Sequence, residues 1–475
     1  MNLKPSTNNP SIVDLRIIPI LEDNFNEMML EKLPDLTLST AIFSGKNDTT
    51  YLFQQEDTLI FLIGLGKSPA YESIEKSFRR ILSKQADLIT HAVKIDFAQA
   101  FIANQVEAAL VGFQLGGYSV DFFKRAADKK KDFSKLSCEV SSGIENIELT
   151  VNRAQEIAKA KIEAFRLVDL PPNVLTPSYL ADWATKLAQS LDLNVRIFDS
   201  EKAKEEGLDA FLAVGRGSAK EPKFIILNYT HPEAKFHLGL VGKGVTFDTG
   251  GLNVKTQGMV HMKSDMGGAA TVLAATQLIA ALKLPITLTT IVPTVENAID
   301  KDAYLPSEVI QSHAGLSIEV IDTDAEGRLI LADGLSYLVK NYNPDQIIDF
   351  ATLTGSSVAT FGYECGALFS NSEKLSLQLQ TAGMESGEKV WPLPMWESYR
   401  KEMDSEIADI KNYHGKPIAG AITAAKFLEA FIHAHPNWAH LDIAGVAYDD
   451  SEFSKTKTGT AFGVQLLLKF IENQL

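Results

Sequence analysis

The sequence predicts an α/β protein of two domains. A smaller N-terminal α/β domain precedes a larger C-terminal α/β/α domain built on a central mixed, largely parallel sheet. Three observations predict this. Short apolar runs alternate with helical patterns along the chain, as strands joined by helical crossovers do. At 475 residues the chain exceeds one typical domain of about 150 residues. A strongly helical stretch at 151–168 stops at Asp169-Leu170-Pro171-Pro172-Asn173, which reads as a connector ending at a break. The expected division is 1–150 for the N-terminal domain, 151–169 for the connecting helix and 170–475 for the second domain.

Composition narrows the class. Hydrophobic residues make up 45%, enough for packed cores and too many for a disordered chain. The formal net charge is −15, which suits a soluble protein and opposes general nucleic-acid binding, since phosphate neutralisation needs surplus cations. Two cysteines, Cys138 and Cys365, cannot form a disulfide framework and point to a reducing compartment. The first 25 residues lack a basic segment followed by an apolar one, so no secretory leader is expected. No apolar run reaches the roughly 18 residues of a membrane span. A cytoplasmic location follows as an expectation.

The elements follow in order. Residues 57–65 (DTLIFLIGL) read as a buried strand, and 69–84 as a helix with Ile74, Phe78, Ile81 and Leu82 on one face. Residues 121–135 carry a basic cluster that reads as a solvated turn. Thr176-Pro177 opens a helix, with a hydroxyl cap and proline at the first position. Strands are expected at 223–229, 236–243, 286–293, 346–351 and 440–443, and helices at 267–282, 332–340 and 421–434. In such sheets ligands bind outside the carboxyl ends of the strands.

Several lookalikes carry no chemistry. Gly64-Leu65-Gly66-Lys67-Ser68 follows a strand and precedes a helix, but a phosphate loop would need glycine where Phe61 stands. Neither HExxH nor GxSxG occurs. His433 and His435 lie two apart near a helix end without an accompanying carboxylate cluster.

Two segments are chemically dense. The first is VGKGVTFDTGGLNVK at 241–255, followed by MKSDMGG at 262–268; the second is DTDAEGRL at 322–329. Asp248 and Asp265 fall at glycine-rich element ends, where function concentrates. Asp324, Glu326 and Arg328 alternate, so an extended backbone would set all three on one face. Four carboxylates among apolar strands need compensation. Two divalent cations would supply it, and the oxygen ligands suit Mn²⁺, Mg²⁺ or Zn²⁺. Lys243 or Lys255 beside such ions could lose its proton and ligate. The competing reading is plain salt bridging to the neighbouring lysines and arginine on a loop surface.

These segments resemble the core motifs of the leucyl aminopeptidase family, dinuclear metallo-aminopeptidases that include bacterial aminopeptidase A. The family octapeptide NTDAEGRL is highly specific. Further matches are ATLTG at 351–355, SEIADIKN at 405–412, GAITAAKFL at 420–428, WAHLDIAG at 438–445 and PPNVLTPSYL at 171–180. The resemblance covers roughly residues 165–475, while 1–150 matches the family's variable N-terminal domain in layout only.

The resemblance implies a metal-dependent aminopeptidase that releases amino-terminal residues, leucine-like ones preferred, through a hydroxide bridging two cations. Lys243, Asp248, Asp265 and Glu326 would hold one ion. Asp248, Asp324 and Glu326 would hold a more exchangeable one, Asp324 also through its carbonyl. Mn²⁺ or Zn²⁺ is implied, with Mg²⁺ or Co²⁺ as alternatives. Lys255 would bond the scissile carbonyl, and Arg328 would hold a bicarbonate acting as general base. Thr352, Leu353 and Gly355 would line the substrate cleft, with Met262 at the floor of the first side-chain pocket. Peptides would be the substrates, cysteinylglycine among them, and a homohexamer the assembly. Some bacterial members also bind DNA in transcription control and recombination, an alternative that the acidic charge opposes. The chain departs from the family pattern at Asp322, where the family has Asn, and at Thr249, where Ser is common.

Overall fold

The computed structural model describes residues 1–6 and 13–475. Residues 7–12, part of the stretch read above for a leader, lie outside the described residues. The chain forms two compact units, 1–162 with 452–455, and 163–451 with 456–475. The division falls within the helix Ile147–Asp169.

In the first unit β1 (Asn2–Pro5), β2 (Leu15–Ile20), β3 (Thr50–Gln55), β4 (Thr58–Gly64), β5 (Ala92–Asp96) and β6 (Ser137–Ser141) form a sheet ordered β1-β6-β5-β2-β4-β3. Every pairing is parallel except the β3–β4 hairpin. The helix Tyr71–Lys84 buries Ile74, Phe78, Ile81 and Leu82. Gly64, at the start of the phosphate-loop lookalike, has a packing reason: a Cβ there would stand 2.2 Å from the Lys46 carbonyl oxygen. The segment 121–135 holds only the short 3-10 turn Ala126–Asp128.

The second unit carries β7 (Asn194–Phe198), β8 (Lys223–Thr230), β9 (His237–Gly242), β10 (Gly244–Asp248) and β11 (Thr287–Asn297). A small sheet follows from β12 (Val309–Gln311) and β13 (Ser317–Glu319), joined later by β17 (Ile410–Lys411). Then come β14 (Gln346–Ala351), β15 (Gly366–Ser370), β16 (Val390–Pro392) and β18 (Trp438–Asp442). The main sheet runs β16-β15-β18-β14-β9-β11-β8-β7, with β10 continuing along β11. It is mixed: β14, β9, β11 and β18 are parallel neighbours, β8 runs antiparallel to both β11 and β7, and β15 runs antiparallel to β18 but parallel to β16. Helices Pro177–Leu191, Gly267–Ala281 and Gly327–Tyr342 pack on this sheet. Thr176 caps the first of them, accepting from the Tyr179 N–H at 3.3 Å. Phe198, Phe211, Phe224 and Tyr337 stack and cross in one aromatic core cluster.

Pro293 explains the local geometry of the site. A proline has no N–H for a ladder and belongs at edges or breaks. Here it sits in β11 between two partners: β9 pairs up to Ile291, and β10 begins at Thr294. The partner strand breaks at Lys243, between β9 and β10. The strand expected at 286–293 runs on to Asn297, because β10 takes over as its partner at Thr294.

Three helices differ from expectation by more than two residues at an end. The connector starts at Ile147, the helix expected at 332–340 spans Gly327–Tyr342, and that expected at 421–434 ends at Glu429. His433 and His435 do not converge. His435 Nε2 lies 2.7 Å from the Pro344 carbonyl oxygen, and His433 Nε2 lies 2.8 Å from Ser336 Oγ.

Candidate active site

The carboxyl ends of three strands meet at one place. Lys243 follows β9, Asp248 ends β10, and Thr352 follows β14. Asp265 stands between the 3-10 turn Met259–Ser264 and the helix Gly267–Ala281. The DTDAEGRL segment is not extended, contrary to the alternation read from its sequence. It is a turn that runs into a helix, with Glu326 in the cap position and Arg328 in the first turn. Asp324, Glu326 and Arg328 still line the same cleft. Gly327 makes this possible, since a Cβ there would lie 2.6 Å from Lys243 Nζ.

Lys243 Nζ donates to Asp265 Oδ1 at 2.8 Å, Glu326 Oε1 at 2.9 Å and the Thr352 carbonyl at 2.9 Å. Lys255 Nζ lies 2.8 Å from Asp248 Oδ2 and also bonds Asp324. Asp248 Oδ1 accepts from the Gly250 N–H and from Asn297 Nδ2, each at 2.8 Å. Gly250 is required in that turn, at φ +87°, where a Cβ would stand 2.9 Å from Asp324 Oδ1. Asp265 Oδ1 also accepts from Thr352 Oγ1 at 2.9 Å. Oxygens of Asp248, Asp324 and Glu326 lie within 4.8 Å of one another.

The charges do not balance. Two lysines face four carboxylates, and Lys243, Asp248, Asp265 and Glu326 are each no more than 6% exposed. Burial, with Glu326 and Asp248 close by, pushes the Asp324 carboxyl up to about 7 against the pull of Lys255. Burial drives Asp265 well up too, and Lys243 only partly offsets it. Burial alone would lower Lys243 and Lys255. The carboxylates around them outweigh it and hold both above the usual lysine range. Asp265 Oδ2 and Glu326 Oε2 are buried and accept no hydrogen bond. Such orphaned acceptors are rare and call for a partner. A surplus of buried carboxylate with unused oxygens fits divalent cations. Lys243 would have to release its proton before it could ligate one.

Every residue expected to hold metal, act in catalysis or bind substrate lines one cleft of about 670 Å³. Met262 lies on the 3-10 turn, and Thr352, Leu353 and Gly355 lead into the helix Gly355–Phe361. The Leu353 N–H donates to Asp442 Oδ1 at 3.1 Å. Arg328 is buried, with Nη1 donating to the Asn412 carbonyl at 2.8 Å and Nε left without a partner. Burial lowers its pKa, while Glu326, Asp322 and Asp442 work to raise it.

Sequence reasoning missed the groups that hold these side chains. Asn297 bridges Asp248 and the Thr323 carbonyl. Asn412 accepts from the Ile321 N–H at 2.7 Å and donates to the Asp322 carbonyl at 2.6 Å. Asp442 fixes Leu353 and Thr354. Each lies far from its client in the chain; Asn412 and Asp442 fall in the matched stretches 405–412 and 438–445, but nothing in those stretches marks the groups they hold. The cleft wall at Tyr413, Lys416 and Ile418 was missed as well.

Comparison with known proteins identifies the family. The profile described as "Cytosol aminopeptidase family, catalytic domain" matches residues 163–468. A probable cytosol aminopeptidase of Chlorobaculum tepidum is 40% identical over 88% of this chain and 87% of its own. Another, of Syntrophotalea carbinolica, is 37% identical over 97% of each. Among solved structures, the cytosol aminopeptidase of Coxiella burnetii has a TM-score of 0.84 at 31% identity, covering 100% of this chain and 99% of its own. The bottromycin maturation enzyme BotP in complex with Mn has a TM-score of 0.86 at 29% identity, covering 98% and 100%. Fold and site together define a metal-dependent hydrolase of the aminopeptidase class. The chain belongs to the cytosol aminopeptidase family.

Proposed function

We propose that this cleft removes amino-terminal residues from peptides, with leucine-like residues preferred within a broad range. One observation carries the reading: four carboxylates, two lysines and Arg328 converge at the carboxyl ends of the central strands, with two buried carboxylate oxygens unused. Lys243, Asp248, Asp265 and Glu326 would hold one divalent cation. Asp248, Asp324 and Glu326 would hold the second, with the Asp324 carbonyl available to it. Mn²⁺ or Zn²⁺ suits this donor set, as Mg²⁺ or Co²⁺ would less specifically. When bound, the cations would polarise the scissile carbonyl and bring the pKa of water toward neutrality.

The chain's own side chains do the rest. Lys255, held between Asp248 and Asp324, donates to the scissile carbonyl oxygen and strengthens that bond as negative charge builds there. Arg328 would hold a bicarbonate through guanidinium donors not spent on Asn412, including the unpartnered Nε. That anion would supply a proton acceptor. Met262 meets the first side chain, and Thr352 and Gly355 line its way in. Leu353 has spent its N–H on Asp442, which leaves its carbonyl to meet the substrate. One methylene in such a pocket is worth only about 1–3 kcal/mol, so selectivity is broad. A homohexameric assembly, a cytoplasmic location and cysteinylglycine as one substrate belong to the same proposal, the location resting on relatives named cytosol aminopeptidases.

The test is leucyl-p-nitroanilide hydrolysis by chelator-stripped protein, reconstituted in turn with Mn²⁺, Zn²⁺, Mg²⁺ and Co²⁺. Activity should vanish on stripping and return with metal. A folded protein inactive with all four ions would remove the reading.

A further inference from the structure

Asp322 stands where the resembling family has Asn, and its surroundings give that extra carboxylate a use. It lines the cleft and is half-buried. Its Oδ1 accepts from the Asp324 N–H at 2.8 Å, which fixes the side chain and leaves Oδ2 to the cleft. Among the described residues no lysine, arginine or histidine nitrogen lies within 4 Å of its carboxylate. The cation on the same wall is already committed, because Lys416 Nζ pairs with Glu402. Asp322 is also outside the group of acids whose oxygens lie close enough to share an ion.

Hydrogen bonds place Asp322 on one particular wall. The Asp265 N–H donates to the Met262 carbonyl, and Asp265 Oδ1 accepts from Thr352, so Met262, Asp265 and Thr352 form one side. Asn412 ties the backbone of Ile321 and Asp322 to the segment that continues through Tyr413 and Lys416, forming another. Lys255, bonded to Asp248 and to Asp324 of the Asp322 segment, stands beside this second wall. With the first side chain against Met262 and the scissile carbonyl at Lys255, the wall that carries Asp322 is the part of the cleft left for the residue just after the scissile bond.

We infer that Asp322 selects substrates whose second residue is cationic, lysine or arginine. A fixed carboxylate with no cation paired directly to it, Arg328 acting on it only through space, attracts a cation in a partly enclosed cleft more strongly than one in open water, and discriminates against an anion at the same place. The inference rests on the aminopeptidase reading and on its assignment of Lys255 and Met262.

The test compares kcat/KM for leucyl-lysinamide, leucyl-glutaminamide and leucyl-glutamic acid amide on the Mn²⁺-reconstituted full chain, the amide caps removing the terminal carboxylate. The lysine substrate should exceed the glutamine one by about tenfold at low ionic strength, with the glutamate substrate lowest. The preference should shrink as salt screens it. Asp322→Asn keeps the oxygen that bonds Asp324 and should bring the lysine-to-glutamine ratio to within about twofold of one. A ratio near one in the unaltered protein, or a salt-independent ratio that survives Asp322→Asn, overturns the inference while leaving the aminopeptidase reading intact. Hydrolysis of none of these amides, nor of leucyl-p-nitroanilide, overturns both.

Discussion

Lys255→Ala is expected to lower kcat on leucyl-p-nitroanilide by about 10²–10³-fold, the usual effect of losing one donor to a developing oxyanion. The ammonium is well placed for the role. It is 17% exposed in its side chain, anchored by Asp248 and Asp324, and held protonated by them despite its burial. Because the donor acts most strongly once charge has built on the carbonyl oxygen, the loss should appear in kcat more than in KM. Metal content should stay at the level of the unaltered protein, since Lys255 is not among the proposed ligands. Steady-state kinetics and elemental analysis of the same preparation check both halves. A Lys255→Ala protein with near-normal kcat would remove the residue from the chemistry.

Glu326→Ala should have the other large effect, on activity and on bound metal together. Glu326 is shared by both proposed cation sets, so activity should fall to background and bound Mn²⁺ should drop. The metal-free protein should also lose stability. Removing one partner of a buried ion pair costs about 3–5 kcal/mol when the other is stranded. Here Asp265 and the Thr352 carbonyl still hold Lys243, and removing Glu326 also relieves its repulsion of Asp265 and Asp324. The cost should therefore fall at or below the low end of that range. Urea unfolding of both metal-free proteins measures it. A variant that kept full activity and full metal would contradict the shared-ligand assignment.

Much of the fold was legible because its signals are local. The apolar runs of β4, β8, β9 and β14 are buried and lie where expected. The Thr176-Pro177 start is chemically specific. The acids of the site were legible as residue types flanked by glycines, and the glycines proved to have reasons of their own at positions 250 and 327.

What was not legible depends on partners far away in the chain. Glu326 and Arg328 read as alternating positions of an extended segment, yet they open a helix because the apolar face that follows packs on the sheet and carries the start back to Gly327. Pro293 looked like a strand end, and only the handover from β9 to β10 makes it a strand interior. Asn297, Asn412 and Asp442 orient the site through single hydrogen bonds to segments 26 to 91 residues away, which no spacing rule encodes.

The central claim is that four carboxylates and Lys243 hold two divalent cations in one chain. The most direct measurement is the number of Mn²⁺ ions bound per chain at equilibrium dialysis, by elemental analysis of stripped and reloaded protein with Glu326→Ala alongside. The account predicts two ions per unaltered chain, one exchanging faster than the other, and at least one ion lost in the variant. A folded, unaltered chain that bound no Mn²⁺ or Zn²⁺, or a Glu326→Ala chain that still bound two, would contradict it.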